Sequence, residues 1–126
     1  MTTDRLLQLV FAAVLLCCSA CDSPSQTVSV TAEDYRFVPD VLRVKAGSPF
    51  TLALYNAGRE DHEFVSPILA YSTENGGERM KLDTSAPGLL KAGRSLRFLV
   101  AAPPGTYVYS CRRKGHPNMT GTLIVE

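Results

Sequence analysis

The chain has 126 residues, 45% of them hydrophobic, with 13 Lys and Arg against 12 Asp and Glu, no Trp, two His and four Cys. That length holds one domain rather than two. The formal net charge of +1 argues against a polybasic nucleic-acid binder and an acidic disordered tail, and the one long apolar run is too short to span a bilayer comfortably.

That run comes first along the chain. Arg5 gives a thin positive start, Leu6 to Leu16 is apolar but for Gln8, and Cys18-Ser19-Ala20-Cys21 ends it with small residues. This is the order of a signal peptide, so residues 1–21 are expected to be a cleaved export segment. Two versions stay open. One is an ordinary secretory leader with cysteines as small apolar filler. In the other, Cys18 to Cys21 is similar to a bacterial lipobox, and lipidation of Cys21 would tether the domain to a membrane face. Both place the protein in the periplasm or cell envelope. Residues 22–126 then form one domain of about 105 residues, enough for a single small core. Only Cys111 lies outside the leader and its edge. An unpaired thiol in an oxidising compartment is a liability unless something occupies it.

After the linker at Ser23-Pro24-Ser25 the apolar residues recur with period two. Val28 and Val30 alternate with polar neighbours; Val41 to Lys45 and Phe50 to Tyr55 follow, separated by Ala46-Gly47-Ser48-Pro49. Ser95 to Val100, Thr106 to Cys111 and Gly121 to Val125 complete the set, punctuated by turns at Asn56-Ala57-Gly58, Ala92-Gly93 and Pro103-Pro104-Gly105. Short alternating strands with such punctuation predict an all-β antiparallel sandwich or barrel. Phe50, Leu52 and Leu54 should share an inner face, as should Leu96, Phe98 and Val100, and Tyr107 with Tyr109. The polar stretch from Pro67 to Pro87 shows no period and is expected to be a long loop with one helical turn at most.

Chemistry concentrates in Cys111-Arg112-Arg113-Lys114-Gly115-His116-Pro117-Asn118-Met119, which leaves one strand and enters another. Thiolate and thioether are soft ligands and imidazole is borderline. With a second imidazole they make the His₂Cys set with weak axial Met of a mononuclear copper electron-transfer site. The second imidazole can only be His62, the other His of the chain. Each residue alone has a plainer reading: His62 as a satisfied surface histidine, Met119 as core, Cys111 as an inert buried thiol. Their joint occurrence favours the metal. Zinc on the same atoms is the alternative by ligand chemistry.

Tyr35-Arg36-Phe37-Val38-Pro39, Ala46-Gly47, Asn56, His62-Glu63-Phe64, Pro104-Gly105-Thr106-Tyr107 and Cys111-x4-His116-x2-Met119-x-Gly121 resemble the cupredoxins, the small blue-copper proteins. The Cys-to-His spacing is similar to that of azurins, and His116-Pro117-x-Met119 to the short loop of amicyanins. The resemblance implies a Greek-key β-sandwich of about seven to eight strands, one copper ion cycling between Cu(I) and Cu(II), and His62, Cys111, His116 and Met119 as ligands. It also implies that His116 is the exposed edge through which electrons pass. Two departures stand out. Glu63 replaces the Asn that in many electron carriers ties the two ligand loops together, and Pro117 has no N–H to offer the thiolate.

Further expectations concern partners. Arg112, Arg113 and Lys114 would steer an acidic protein redox partner to the metal, or serve only solubility. Glu60, Asp61 and Glu63 are a solvated acidic turn or a site for a cation such as Fe²⁺. Met80 is expected to pin its loop. The leading function is one-electron transfer by a monomer that binds no nucleic acid and meets a membrane only through a lipid on Cys21. A copper-tolerance protein and an accessory to iron uptake with ferrous oxidation are the alternatives.

Overall fold

Period-two burial organises nearly all of the structure, a computed structural model that describes residues 26–74 and 88–126. The expected export segment (residues 1–21), Cys21 within it, and Met80 lie outside the described residues. Among the described residues ten strand segments follow in order: β1 (Thr27–Ala32), β2 (Phe37–Val38), β3 (Val41–Val44), β4 (Phe50–Asn56), β5 (His62–Glu63), β6 (Ser72–Glu74), β7 (Leu89–Leu90), β8 (Ser95–Val100), β9 (Gly105–Ser110) and β10 (Thr120–Val125). A 3₁₀ turn, Pro67–Tyr71, precedes β6. The count exceeds the expected seven to eight because β2, β5 and β7 are two-residue segments, too short to show an alternation.

The strands form a five-stranded sheet in the order β2-β1-β4-β8-β6, a three-stranded sheet β3-β10-β9, and a small pair β5-β7. The core of the sandwich is built from alternate positions: Val28 and Val30 of β1, Phe50, Leu52 and Leu54 of β4, Phe98 and Val100 of β8, and Leu123 and Val125 of β10 are buried. Their strand neighbours Tyr55 of β4 and Leu99 of β8 face outward, as does Val108 beside the buried Tyr109 of β9, as a pleated strand requires.

Pairing direction departs from the antiparallel expectation. β1 runs parallel to β4, with Val28 opposite Leu52 and Val30 opposite Leu54, and β3 runs parallel to β10. The chain leaves the first sheet after β2, contributes β3 to the second, and returns as β4. Such a crossover delivers parallel neighbours, which a tight hairpin cannot do. The stretch read as a loop also holds more structure than expected. Ser66 caps the 3₁₀ turn by accepting from the Ile68 N–H at 3.3 Å, Ile68 and Leu69 are buried, and β6 then pairs along the edge of β8. An edge strand of Ser, Thr and Glu carries no apolar alternation to betray it.

Three aromatic rings pack together in the core. Phe64 stacks on Tyr109 with centroids 5.0 Å apart, and Phe37 meets Tyr109 edge-on at 5.3 Å. The buried Tyr109 hydroxyl donates to the Pro39 carbonyl at 2.9 Å, which satisfies the ring's one polar atom. Burial first, and Asp40 second, push this phenol up to about 12. Tyr109 lies across the ladder from Gly121, and a Cβ at position 121 would collide with the Tyr109 ring. Glycine here is a packing requirement. Gly121→Ala is expected to destabilise the domain by about 1–3 kcal/mol through overpacking, read as a lower urea midpoint with an unchanged m-value.

Candidate metal centre

Two arms of the chain meet at one end of the sandwich. The first runs through β5 to Val65, the second leaves β9 at Ser110. Val65 and Ser110 exchange both backbone hydrogen bonds, each at 2.9 Å, and lock the arms together one residue before Cys111. On the other flank His62 pairs with Leu90 and Glu63 with Leu89, and the Phe64 N–H donates to the Gly88 carbonyl. The second arm is a closed loop, its neck sealed by the Cys111 N–H donating to the Met119 carbonyl at 3.0 Å. Inside it the backbone turns sharply at Gly115 (φ 88°) and Asn118 (φ 63°). Glycine and asparagine are the residues that best tolerate this left-handed region.

The arms gather the four residues singled out by sequence. His62, Cys111, His116 and Met119 sit together and are all buried. His62 Nδ1 and His116 Nδ1 are 3.1 Å apart, and Cys111 Sγ lies 4.0 Å from the first and 3.6 Å from the second. A point equidistant from these three atoms is about 2.1 Å from each, within the ~2.0–2.3 Å that imidazole nitrogen and thiolate sulfur make to a metal ion. Among the described residues, His62, Cys111 and His116 form the one such donor group drawn from His, Cys, Asp and Glu. Soft sulfur with two borderline nitrogens, plus a buried thioether beside them, fits a single copper ion.

Burial shapes the electrostatics. The loss of hydration lowers the His62 pKa from its usual value, and neighbouring His116 lowers it further, against a smaller opposing pull from Asp34 and Glu60. His62 is thereby held neutral, the state a metal requires of it. Its Nε2 is buried without a hydrogen-bond partner among the described residues.

Of the two departures noted in the sequence, Glu63 finds a local answer. The Glu63 backbone N–H points at Cys111 Sγ, 3.4 Å away, and its carboxylate lies 3.9 Å from Arg112 Nε. Glu63 therefore links the two arms through its main chain and a long, half-exposed ion pair. At Pro117 no N–H is offered to the sulfur. His116 differs from expectation. It is not an open edge, because its side chain is only 3% exposed. Glu60 Oε2 sits 2.8 Å from its Nε2, and Tyr35 meets the ring edge-on at 5.7 Å. Sequence reasoning placed Glu60 in an acidic turn and did not pair it. Asn56, noted as part of a motif, proves to organise that turn. Its buried amide donates to the carbonyls of Glu60 (2.7 Å) and Leu90 (2.8 Å) and accepts from the Gly58 N–H.

Solved structures share this architecture. Auracyanin B matches with 27% identity over 82% of this chain and 90% of its own, at a TM-score of 0.60. Auracyanin from Roseiflexus castenholzii matches at 20% identity and a TM-score of 0.59, over 81% of this chain and 98% of its own. A reduced amicyanin variant matches at 24% identity and 0.54, over 79% and 82%. No curated protein matches the chain. The model of the cupredoxin-like domain matches residues 6–125, and with the sandwich and its donor cluster in place the chain belongs to the cupredoxin-like family.

Proposed function

We propose that the protein is a mononuclear type I copper protein carrying single electrons in the cell envelope, with His62, Cys111 and His116 as equatorial ligands and Met119 as the weak axial one. The observation that carries this reading is the convergence of two Nδ1 atoms and one Sγ from separate arms on a common centre about 2.1 Å from each, a bonding distance for such donors. Copper bound there supplies one-electron cycling between Cu(I) and Cu(II).

The chain's part is to hold the donors still. The paired hydrogen bonds of Val65 and Ser110, the sealed neck of the ligand loop and the Glu63 N–H on the sulfur fix donor positions before any electron moves. Little has to rearrange between oxidation states, which favours fast exchange. Loading requires a thiolate and two neutral imidazoles, so it releases protons. Arg112, Arg113 and Lys114 are exposed beside the centre, which supports docking by an acidic protein partner with steep salt dependence. The apolar leader and the solitary thiol support export, with a lipid on Cys21 as the finer version; no helix among the described residues is long and apolar enough to cross a membrane.

The acidic residues beside His62 are occupied within the protein. Glu60 faces His116, Asp61 accepts from the Ala92 N–H at 3.1 Å, and Glu63 lies near Arg112. That distribution favours an electron carrier over ferrous oxidation at a separate cation site.

Copper-loaded wild type should show the intense thiolate-to-copper absorption. Cys111→Ser should abolish it and weaken binding by more than the ~10- to 100-fold typical of losing an outer-sphere partner; a coloured Ser variant would overturn the assignment. Met119→Leu should keep the copper and shift the reduction potential upward in a redox titration. In the metal-free protein, the lowered His62 pKa means that the unfolded chain binds a proton near pH 6.5 that the folded chain refuses. Stability should be full above that pH and fall as pH drops through it, by up to about 1.4 kcal/mol per unit. Urea titrations at pH 7.5 and 5.5 measure the slope, and His62→Gln should flatten it.

A further inference from the structure

The acidic turn between β4 and β5 is held more firmly than a solvated loop needs. The Asn56 amide takes the Glu60 carbonyl, Asp34 Oδ1 accepts the Arg59 N–H at 2.6 Å, and Asp61 Oδ1 takes the Ala92 N–H. With its backbone pinned on both sides, Glu60 presents its carboxylate to the Nε2 of His116 at 2.8 Å. The imidazole is buried and the carboxylate is 59% exposed, so one end of the contact is dry and the other wet.

From this geometry, and resting on the copper reading above, we infer that Glu60 is the positioning residue for His116: its carboxylate fixes the proton on Nε2, frees Nδ1 for the metal, and biases the centre toward Cu(II). A carboxylate accepts and cannot donate, so the atom facing it carries the hydrogen. His116 Nδ1 is then a bare lone pair aimed into the donor cluster. The same assignment runs on to the neighbouring ring. With His62 Nδ1 at 3.1 Å from His116 Nδ1, His62 must be the donor in the metal-free protein, which leaves its Nε2 without hydrogen. That is consistent with Nε2 being buried and unpartnered. A carboxylate behind a ligating imidazole also makes it a stronger electron donor, and a more negative ligand shell stabilises the higher oxidation state.

Three variants separate charge from contact: Glu60→Gln keeps an acceptor without charge, Glu60→Asp keeps the charge on a shorter arm, and Glu60→Ala removes both. In metal-free wild type, nitrogen NMR of the histidine rings should show His116 protonated at Nε2 and His62 at Nδ1, with this order lost in Glu60→Ala. In the copper-loaded proteins Glu60→Ala should lower the ratio of Cu(II) to Cu(I) affinity about tenfold, a rise of about 59 mV for a one-electron couple. Glu60→Gln should give a smaller rise and Glu60→Asp partial restoration. Wild-type His116 protonated at Nδ1 would overturn the inference, as would potentials that coincide across all four proteins. The tautomer measurement needs no metal, so a failure to bind copper would sink the copper reading while leaving the role of Glu60 decided by the spectra.

Discussion

The pair of backbone hydrogen bonds between Val65 and Ser110 is the constraint on which the centre depends. His62 and Cys111 are 49 residues apart in sequence, and neither local preference nor side-chain affinity can bring them together. A backbone bridge three residues after His62 and one before Cys111 does so without using any donor atom. The aromatic trio stands directly behind it, since Phe64 and Tyr109 flank the bridge in sequence and stack on each other. Core packing in this way bears on the spacing of the candidate ligands, and a close-packed interior transmits strain stiffly.

Much of this was legible before any coordinates. Period-two alternation marked the long strands and their buried faces correctly, because burial on one face of a pleat leaves an unmistakable pattern from Phe50 to Leu54 and at Phe98 and Val100. Alternation says which side of a strand is inside, and nothing about its neighbour's direction. The parallel pairs β1-β4 and β3-β10 therefore stayed hidden. β6 stayed hidden for a different reason: its residues Ser72 and Thr73 are polar, and its pairing is a matter of edge position. The donors were readable because the chain is so sparing with them. Its two histidines and the one cysteine beyond residue 21 converge with a methionine.

What escaped was the environment of the donors. Glu60 is 56 residues from His116, and an acidic turn reads as solvated surface unless something names its partner. The same holds for Tyr35, whose ring lies against His116 from a loop early in the chain. Three of the four candidate ligands lie in one short motif, but the groups that surround them come from wherever the fold happens to pass. Glu63 shows the complementary case. Its side chain departs from the pattern of the resemblance, yet its peptide N–H reaches the sulfur, because that contact belongs to the backbone path and not to the residue type.

The sealed neck of the ligand loop carries an implication of its own. Residues 111–119 begin and end at one rung, the Cys111 N–H on the Met119 carbonyl, directly beyond the Ser110–Thr120 pair of the ladder. Everything within is a cassette hung from a fixed clasp. Its length could be edited, and the spacing of sulfur, imidazole and thioether retuned, while the sheets on either side keep their register. Evolution can vary the properties of such a centre without renegotiating the scaffold that holds it.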